Sequence, residues 1–345
     1  ETATRALKVA QELQPNSPET ILAQGFYQYY VLQDYELAKA TFVLVRNALP
    51  GSSDVPAALA LIARRQGRWD ESIDYWEQAL ALDPRNSGWL ALLALTYSNL
   101  RRFPAALKMY DRALDIEPND PDLIAAKAGI HQAEGDLEQA GKLLAAVDAH
   151  TASFRAFVTK TTQLRLERNY VEAVRLLQGR QAQLQFGSEI EKGLNQWRLA
   201  VAQRLAGDIA GAKVTAEQAR NTLEPVCKNQ PDNTRFAALL SQAYAALGDK
   251  NSALNEAEHA IALVPSAKDS VGGPVYEENL ALVEVTVGET SQAISTIARL
   301  LQTPYFSYLY NQTTPITPAL LRLDPIWDPL RADPAFQKLC EEKQP

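Results

Sequence analysis

The sequence predicts an all-α fold, an α-solenoid of about eight stacked helix–turn–helix repeats closed by a C-terminal capping segment. Three observations predict it. Trp69, Ser72, Trp76, Ala79 and Pro84 are followed at a constant step of 34 residues by Phe103, Ala106, Tyr110, Ala113 and Pro118. A third copy continues in phase with Leu137, Ala140, Leu144 and Val147. Helix-ending glycines followed by helix-starting aspartates mark turns along the chain, as in Gly135-Asp136, Gly207-Asp208 and Gly248-Asp249.

Each element follows from this pattern. Ala6, Leu7, Ala10 and Leu13, with Ala3 before them and Pro15 after, have the spacing of a second helix without its first, so residues 1–18 read as part of a truncated repeat. The first residues, Glu1 to Arg5, have neither an initiator Met nor a signal-peptide pattern, and the expectation is a longer native chain with further domains upstream. The repeat array is expected over residues 19–304. Its first copy carries Tyr35, Ala38, Phe42 and Pro50, and later copies carry Tyr170 with Ala173, Ile209 with Ala212, Ala216 and Ala219, Gly248 with Ala253, Ala257 and Ala260, and Gly288 with Ala293. The Gly207–Gly248 and Gly248–Gly288 intervals exceed the earlier period, so longer second helices or loops are expected there.

The small residues have a steric role. Ala60, Ala94 and Ala128 in first helices should face Ala79, Ala113 and Ala106 in second helices and let the axes approach closely. Gly67, Gly135, Gly207, Gly248 and Gly288 fall where a left-handed residue ends a first helix, Asp136, Asp208 and Asp249 can cap the next, and Pro84 and Pro118 stop second helices. Two short helices cannot bury enough apolar surface to offset their ordering entropy, so each pair must stack on its neighbours.

These residues resemble the tetratricopeptide repeat, with a small residue in the first helix, an aromatic after the turn, Ala in the second helix and a closing Pro. The resemblance implies a right-handed superhelix that binds protein or peptide on its concave side, lined by first helices. By phase, the partner-binding groove would be lined by Tyr27, Tyr30, Arg64, Arg65, Asn99, Gln132, Arg165, Trp197, Arg204 and Gln242. The arginines among them point to an acidic or phosphorylated segment, because guanidinium pairs carboxylate or phosphate in bidentate fashion. The Lys/Asn/Arg clamp with which one subfamily holds chaperone tails is missing; its places read Ala57, Leu61, Ala91 and Leu95.

The end of the chain, residues 305–345, changes character. Tyr305, Phe306, Tyr308, Leu309 and Tyr310 lead into Thr314-Pro315-Ile316-Thr317-Pro318, and then Asp324-Pro325, Asp328-Pro329 and Asp333-Pro334 each place an N-cap before a Pro suited to the first helical position. Each pair is expected to start a short helix or turn, with Ile326, Trp327, Leu330, Phe336 and Leu339 covering the last repeat. Together with Asp269–Gly273 and Glu277–Leu282, this tail resembles the C-terminal tetratricopeptide regions of bacterial signalling proteins that carry a Ser/Thr kinase, a winged-helix or a cyclase-like domain. The resemblance implies the interaction or ligand-sensing arm of a larger regulator. A free-standing assembly adaptor or co-chaperone of an envelope or secretion complex is the alternative, and an enzyme using the superhelix as a substrate groove ranks below both.

Composition sets limits on other classes. The formal charge is −7, from 41 acidic and 34 basic residues, which disfavours nucleic-acid binding. No run approaches the length that spans a bilayer; the stretch Trp89 to Tyr97 is far too short. The cytoplasm is the favoured compartment, with the periplasm open if a membrane anchor lies upstream. Cys227 and Cys340 form neither a zinc motif nor a disulfide framework. His131, His150 and His259 lack a base-and-orienter constellation, and Glu256 with His259 is a single Glu-x-x-His where a di-iron bundle needs two. No catalytic, cofactor or metal site is expected, and the Asn311-Gln312-Thr313 sequon matters only in a secretory context.

Overall fold

The computed structural model describes residues 2–148, 151–183, 186–309 and 314–341; Glu1, His150, Tyr310 and the Asn311–Thr313 sequon lie outside them. All regular elements among the described residues are helical, and the fold is the expected solenoid type. The chain divides into two compact units, one of Glu1–Tyr97 with Lys108–Pro118, the other of Ser98–Leu107 with Asn119–Pro345.

A leading helix, α1 (Thr2–Leu13), precedes the paired helices. The pairs are α2 (Pro18–Tyr27) with α3 (Tyr35–Arg46), α4 (Asp54–Arg65) with α5 (Trp69–Leu82), and, after the successive helices α6 (Ser87–Asn99) and α7 (Phe103–Leu114), α8 (Pro121–Glu134) with α9 (Leu137–Ala145). They continue as α10 (Phe154–Leu166) with α11 (Tyr170–Gln183), α12 (Glu189–Leu205) with α13 (Ile209–Asn229), α14 (Thr234–Leu247) with α15 (Lys250–Leu263), and α16 (Gly273–Val287) with α17 (Thr290–Leu301). After them come α18 (Pro318–Leu323), a 3-10 helix (Pro325–Leu330) and α19 (Pro334–Glu341).

The turns show why the pairs form. Asp120 caps α8 by accepting from Asp122 N and Leu123 N at 2.8 and 2.9 Å, ahead of Pro121. Gly135 ends the helix at φ 87°, and Asp136 N donates back to the His131 carbonyl at 2.8 Å. The Asp136 carboxylate then accepts from Gln139 N at 3.0 Å and starts α9. Asp208 and Asp249 repeat this on Gly211 N and Ser252 N. The lengthened spacing has two sources: α13 runs for 21 residues, and a connection leads from Leu263 to Gly273, braced by the Asp269 carboxylate on Val271 N and Gly272 N. Gly273 is required there, since a Cβ would lie 2.4 Å from the Ser266 backbone.

In the first unit Ala38, Ala60 and Ala79 are fully buried with Phe42 and Trp76, and Ser72 takes the small-residue place in α5, donating its hydroxyl to the Ala60 carbonyl at 2.8 Å. In the second unit first helices pack on first helices, α8 on α10, α12 on α14 and α14 on α16, while each also packs on its own second helix. Trp327, Leu330, Phe336 and Leu339 join Ile294, Ile297 and Leu300 in one core, so the C-terminal segment packs against α17. It also does more: α18 packs on α8.

Of the three Asp-Pro pairs, two begin helices: Asp324 accepts from Ile326 N, and Asp333 accepts from Ala335 N. The expectation for the third is corrected, because Asp328 and Pro329 lie inside the 3-10 helix. The Asp328 carboxylate is taken by Arg168 and Arg331 and leaves no cap to form. Both cysteines are free thiols, and burial, helped by Glu256 and Glu224, pushes Cys227 up to about 12.

Candidate functional site

The first unit carries an aromatic and cationic surface. Its cause is local: α2 widens into a π-helical turn over Gln28–Leu32 that ends on Gln33 in the left-handed conformation, φ 52°. The turn puts Tyr29 inside, 4% exposed, and leaves Tyr30 outside at 63%. Arg65 Nε donates to the Tyr29 hydroxyl at 3.1 Å, and its guanidinium sits 6.0 Å from the rings of both Tyr29 and Tyr35. Tyr30 meets Tyr29 edge-on at 4.8 Å, with Val31 and Leu32 exposed beside it. The structure thus joins the expected residues Tyr30 and Arg65 through Tyr29. Tyr27 is half-buried and Arg64 is buried.

The second unit has a different character, because its own C-terminal segment lies against the first helices. Arg101 donates to three backbone carbonyls, Leu300 at 2.9 Å, Thr303 at 3.0 Å and Ile316 at 3.1 Å. Thr317 Oγ1 donates to the Ala133 carbonyl at 2.6 Å, and a Cβ on Gly135 would touch Ala319. Arg165 pairs with Asp324 in the interior. Arg168 pairs with Asp328 at 2.9 Å near the surface. For Asp328 burial acts upward, but the hydrogen bonds and charges of Arg168 and Arg331 outweigh it and hold the carboxyl below the ordinary range.

The groove expectation is therefore only partly a surface. Asn99 is fully buried. Gln132 bridges to Gln163 and the Thr159 carbonyl at 3.0 and 3.1 Å, and Gln242 donates to Asn279 Oδ1 at 2.9 Å. Arg165 is engaged by Asp324, and Trp197 is buried. First-helix positions that phase alone places on the inner side thus meet neighbouring first helices or the returning chain. Arg204 stands exposed. Trp197, Arg204 and Gln242 come together on one cavity of about 250 Å³, walled on its far side by Pro325, Ile326 and Asp328.

Arg101 and Arg168 escaped the sequence reading, although a signal existed. Gln33, Arg101 and Arg168 are the non-glycine residues at positive φ among those described. Arg101 stands one period after Gly67 and one before Gly135, and Arg168 occupies the next such turn. Both arginines found where glycine is favoured hold the C-terminal segment. His131 is half-buried with its imidazole 3.8 Å from Glu134, and His259 lies 3.9 Å from Glu256. Among the described residues, no group of three or more His, Cys, Asp or Glu is placed to hold a metal ion. No helix among them is long and apolar enough to cross a membrane.

Comparison with known proteins agrees with this architecture. Residues 57–124 and 100–158 each match the tetratricopeptide repeat family. No curated protein sequence matches the chain. Among solved structures, a tetratricopeptide repeat protein from Parabacteroides merdae superposes with TM-score 0.54 at 18% identity, over 77% of this chain and 98% of that one. Cut9 in its complex with Hcn1 gives 0.48 at 12% identity, over 80% of this chain and 51% of that one. Pseudomonas aeruginosa PilF gives 0.47 at 17%, over 64% and 96%. Residues 57–158 thus match tetratricopeptide repeat models, and the described residues form an all-helical fold of the solenoid type.

Proposed function

We propose that this chain grips an acidic or phosphorylated polypeptide segment on the Tyr30–Arg65 surface of its first unit, as the interaction arm of a larger bacterial regulatory protein. Tetratricopeptide repeats are protein-interaction scaffolds. The observation that carries the reading is Arg65, held over Tyr29 and Tyr35 beside the exposed Tyr30-Val31-Leu32. A preorganised guanidinium next to exposed aromatic and aliphatic surface is the composition of a binding hot spot. The second unit supports the ligand chemistry by example, since Arg165 and Arg168 take Asp324 and Asp328 of a returning chain. The role as the arm of a regulator rests on the likeness of the tail to signalling proteins.

The test is fluorescence anisotropy with two labelled peptides of equal length and apolar content, one rich in Asp and phosphoserine, the other in Lys. The acidic peptide should bind, weaken with salt, and lose at least about tenfold in affinity on Tyr30→Ser or Arg65→Gln. Equal binding of both peptides, or an affinity unmoved by either substitution, would rule the surface out.

A further inference from the structure

The cavity in the second unit has a chemistry of its own. It lies between α12, α14 and α16 and the 3-10 helix Pro325–Leu330, and its lining includes Trp197, Val201, Leu282, Val285 and Ile326. A ligand with an apolar body gains both burial and dispersion contacts against apolar side chains that line a cavity. The volume, about 250 Å³, exceeds the roughly 150 Å³ that suffices for benzene and suits a body of about eight carbons.

The polar groups at the wall decide the rest. The Gln242 amide is engaged by Asn279, and the Asp328 carboxylate by Arg168 and Arg331. Arg204, exposed in the last turn of α12, is different: its guanidinium makes no hydrogen bond or ion pair among the described residues. Arg168 and Arg331, both bonded to Asp328, offset the one carboxylate on the cavity wall. An apolar chamber with one unengaged guanidinium matches a molecule that has an apolar body and a single anionic head.

We propose that this cavity is a binding site for a small apolar carboxylate, with the aliphatic or aryl body against Trp197, Leu282 and Val285 and the carboxylate on Arg204. Because the Pro325–Leu330 turn forms one wall, the ligand would also brace the C-terminal segment against α12 and α16. The site is separate from the Tyr30–Arg65 surface, and either can fail without the other.

Isothermal titration of the full chain with octanoate, and with octanamide as its uncharged counterpart, tests the site. Octanoate should bind with Kd of about 0.1 mM or tighter, and octanamide about tenfold more weakly or worse. Arg204→Gln should bring octanoate down to the level of octanamide. Ala246→Phe, an exposed position on the cavity wall, should abolish binding of both, with helical circular dichroism unchanged in each variant. Absence of octanoate binding, equal affinity for acid and amide, or octanoate binding indifferent to Arg204→Gln or Ala246→Phe would each overturn the proposal. A short peptide ending in Leu that binds where octanoate does not would overturn it too, in favour of a chain terminus.

Discussion

Arg165 closes a two-pronged ion pair on Asp324, 159 positions further along the chain, with Nε 3.1 Å from Oδ1 and Nη2 3.0 Å from Oδ2. Both side chains are buried, so removing one partner leaves the other charge without its counter-ion in the interior. Asp324→Ala should destabilise the protein by about 3–5 kcal/mol, whereas the apolar double replacement Arg165→Met with Asp324→Leu should recover a large part of the loss. Urea unfolding of the parent and the variants measures both. An Asp324→Ala protein as stable as the parent would show that the pair does not hold the segment.

The two arginines at left-handed turns should respond differently to glycine. Arg101 has φ 57° and Arg168 has φ 59°, so glycine relieves about 1 kcal/mol of backbone strain at either place. Arg101 is buried and holds three carbonyls, while Arg168 makes a half-exposed pair. Arg101→Gly should cost about 2–4 kcal/mol net, and Arg168→Gly should stay within about 1 kcal/mol of the parent. Hydrogen exchange at residues 300–309 and 314–323 should quicken in the first variant only. Similar stabilities for the two variants would contradict the assignment of Arg101 as the main tether.

Stability should fall as pH rises towards neutrality. Burial pushes the Glu278 carboxyl up to about 7, against the hydrogen bonds of Ser307 and Tyr305 and the charge of Arg101. Glu284 also stands at about 7, raised first by burial and then by Glu289 and Glu258, with Thr296 and Arg299 opposing. Between the ordinary carboxylate range and about 7, the folded chain holds protons that the unfolded chain has released. This contribution is full below that range and is lost as pH climbs through about 7. Thermal midpoints should therefore drop from pH 5.5 to pH 8, and Glu278→Gln should flatten the profile and raise the midpoint at pH 8. A parent profile that is level or rises over this interval would refute the account.

Close approach in the first unit is testable at two glycines. A Cβ on Gly25 would lie 2.5 Å from Cε1 of Phe42, itself fully buried, while a Cβ on Gly51 meets nothing. Gly25→Ala should destabilise by about 1–3 kcal/mol in spite of the better helix propensity of alanine. Gly51→Ala should be neutral or stabilising by a few tenths of a kcal/mol. Thermal melts of the two variants decide, and a Gly25→Ala midpoint at or above the parent's would show that Phe42 has room to move.

Much of the fold was legible because its determinants are local. Gly135, Asp136 and Ala140 each act within a few residues of themselves, ending a helix, starting the next and letting it pack closely, and the period repeats their effect down the chain. Even Arg101 left a local trace, as an arginine where the period favours glycine. The groove positions were harder to read. Phase places Gln132, Arg165 and Gln242 on the inner side of first helices, yet their burial depends on what arrives from elsewhere: Gln163, Asp324 and Asn279.

The amino-acid order alone determined the helix pairs and their turns, since backbone hydrogen bonding, left-handed glycines and apolar spacing act over a few residues. Tertiary structure decided where the returning chain lies, which arginines it engages and which cavity it encloses. Those outcomes depend on pairs such as Arg101 and Ile316, 215 positions apart, whose meeting is set by the geometry of the helices stacked between them.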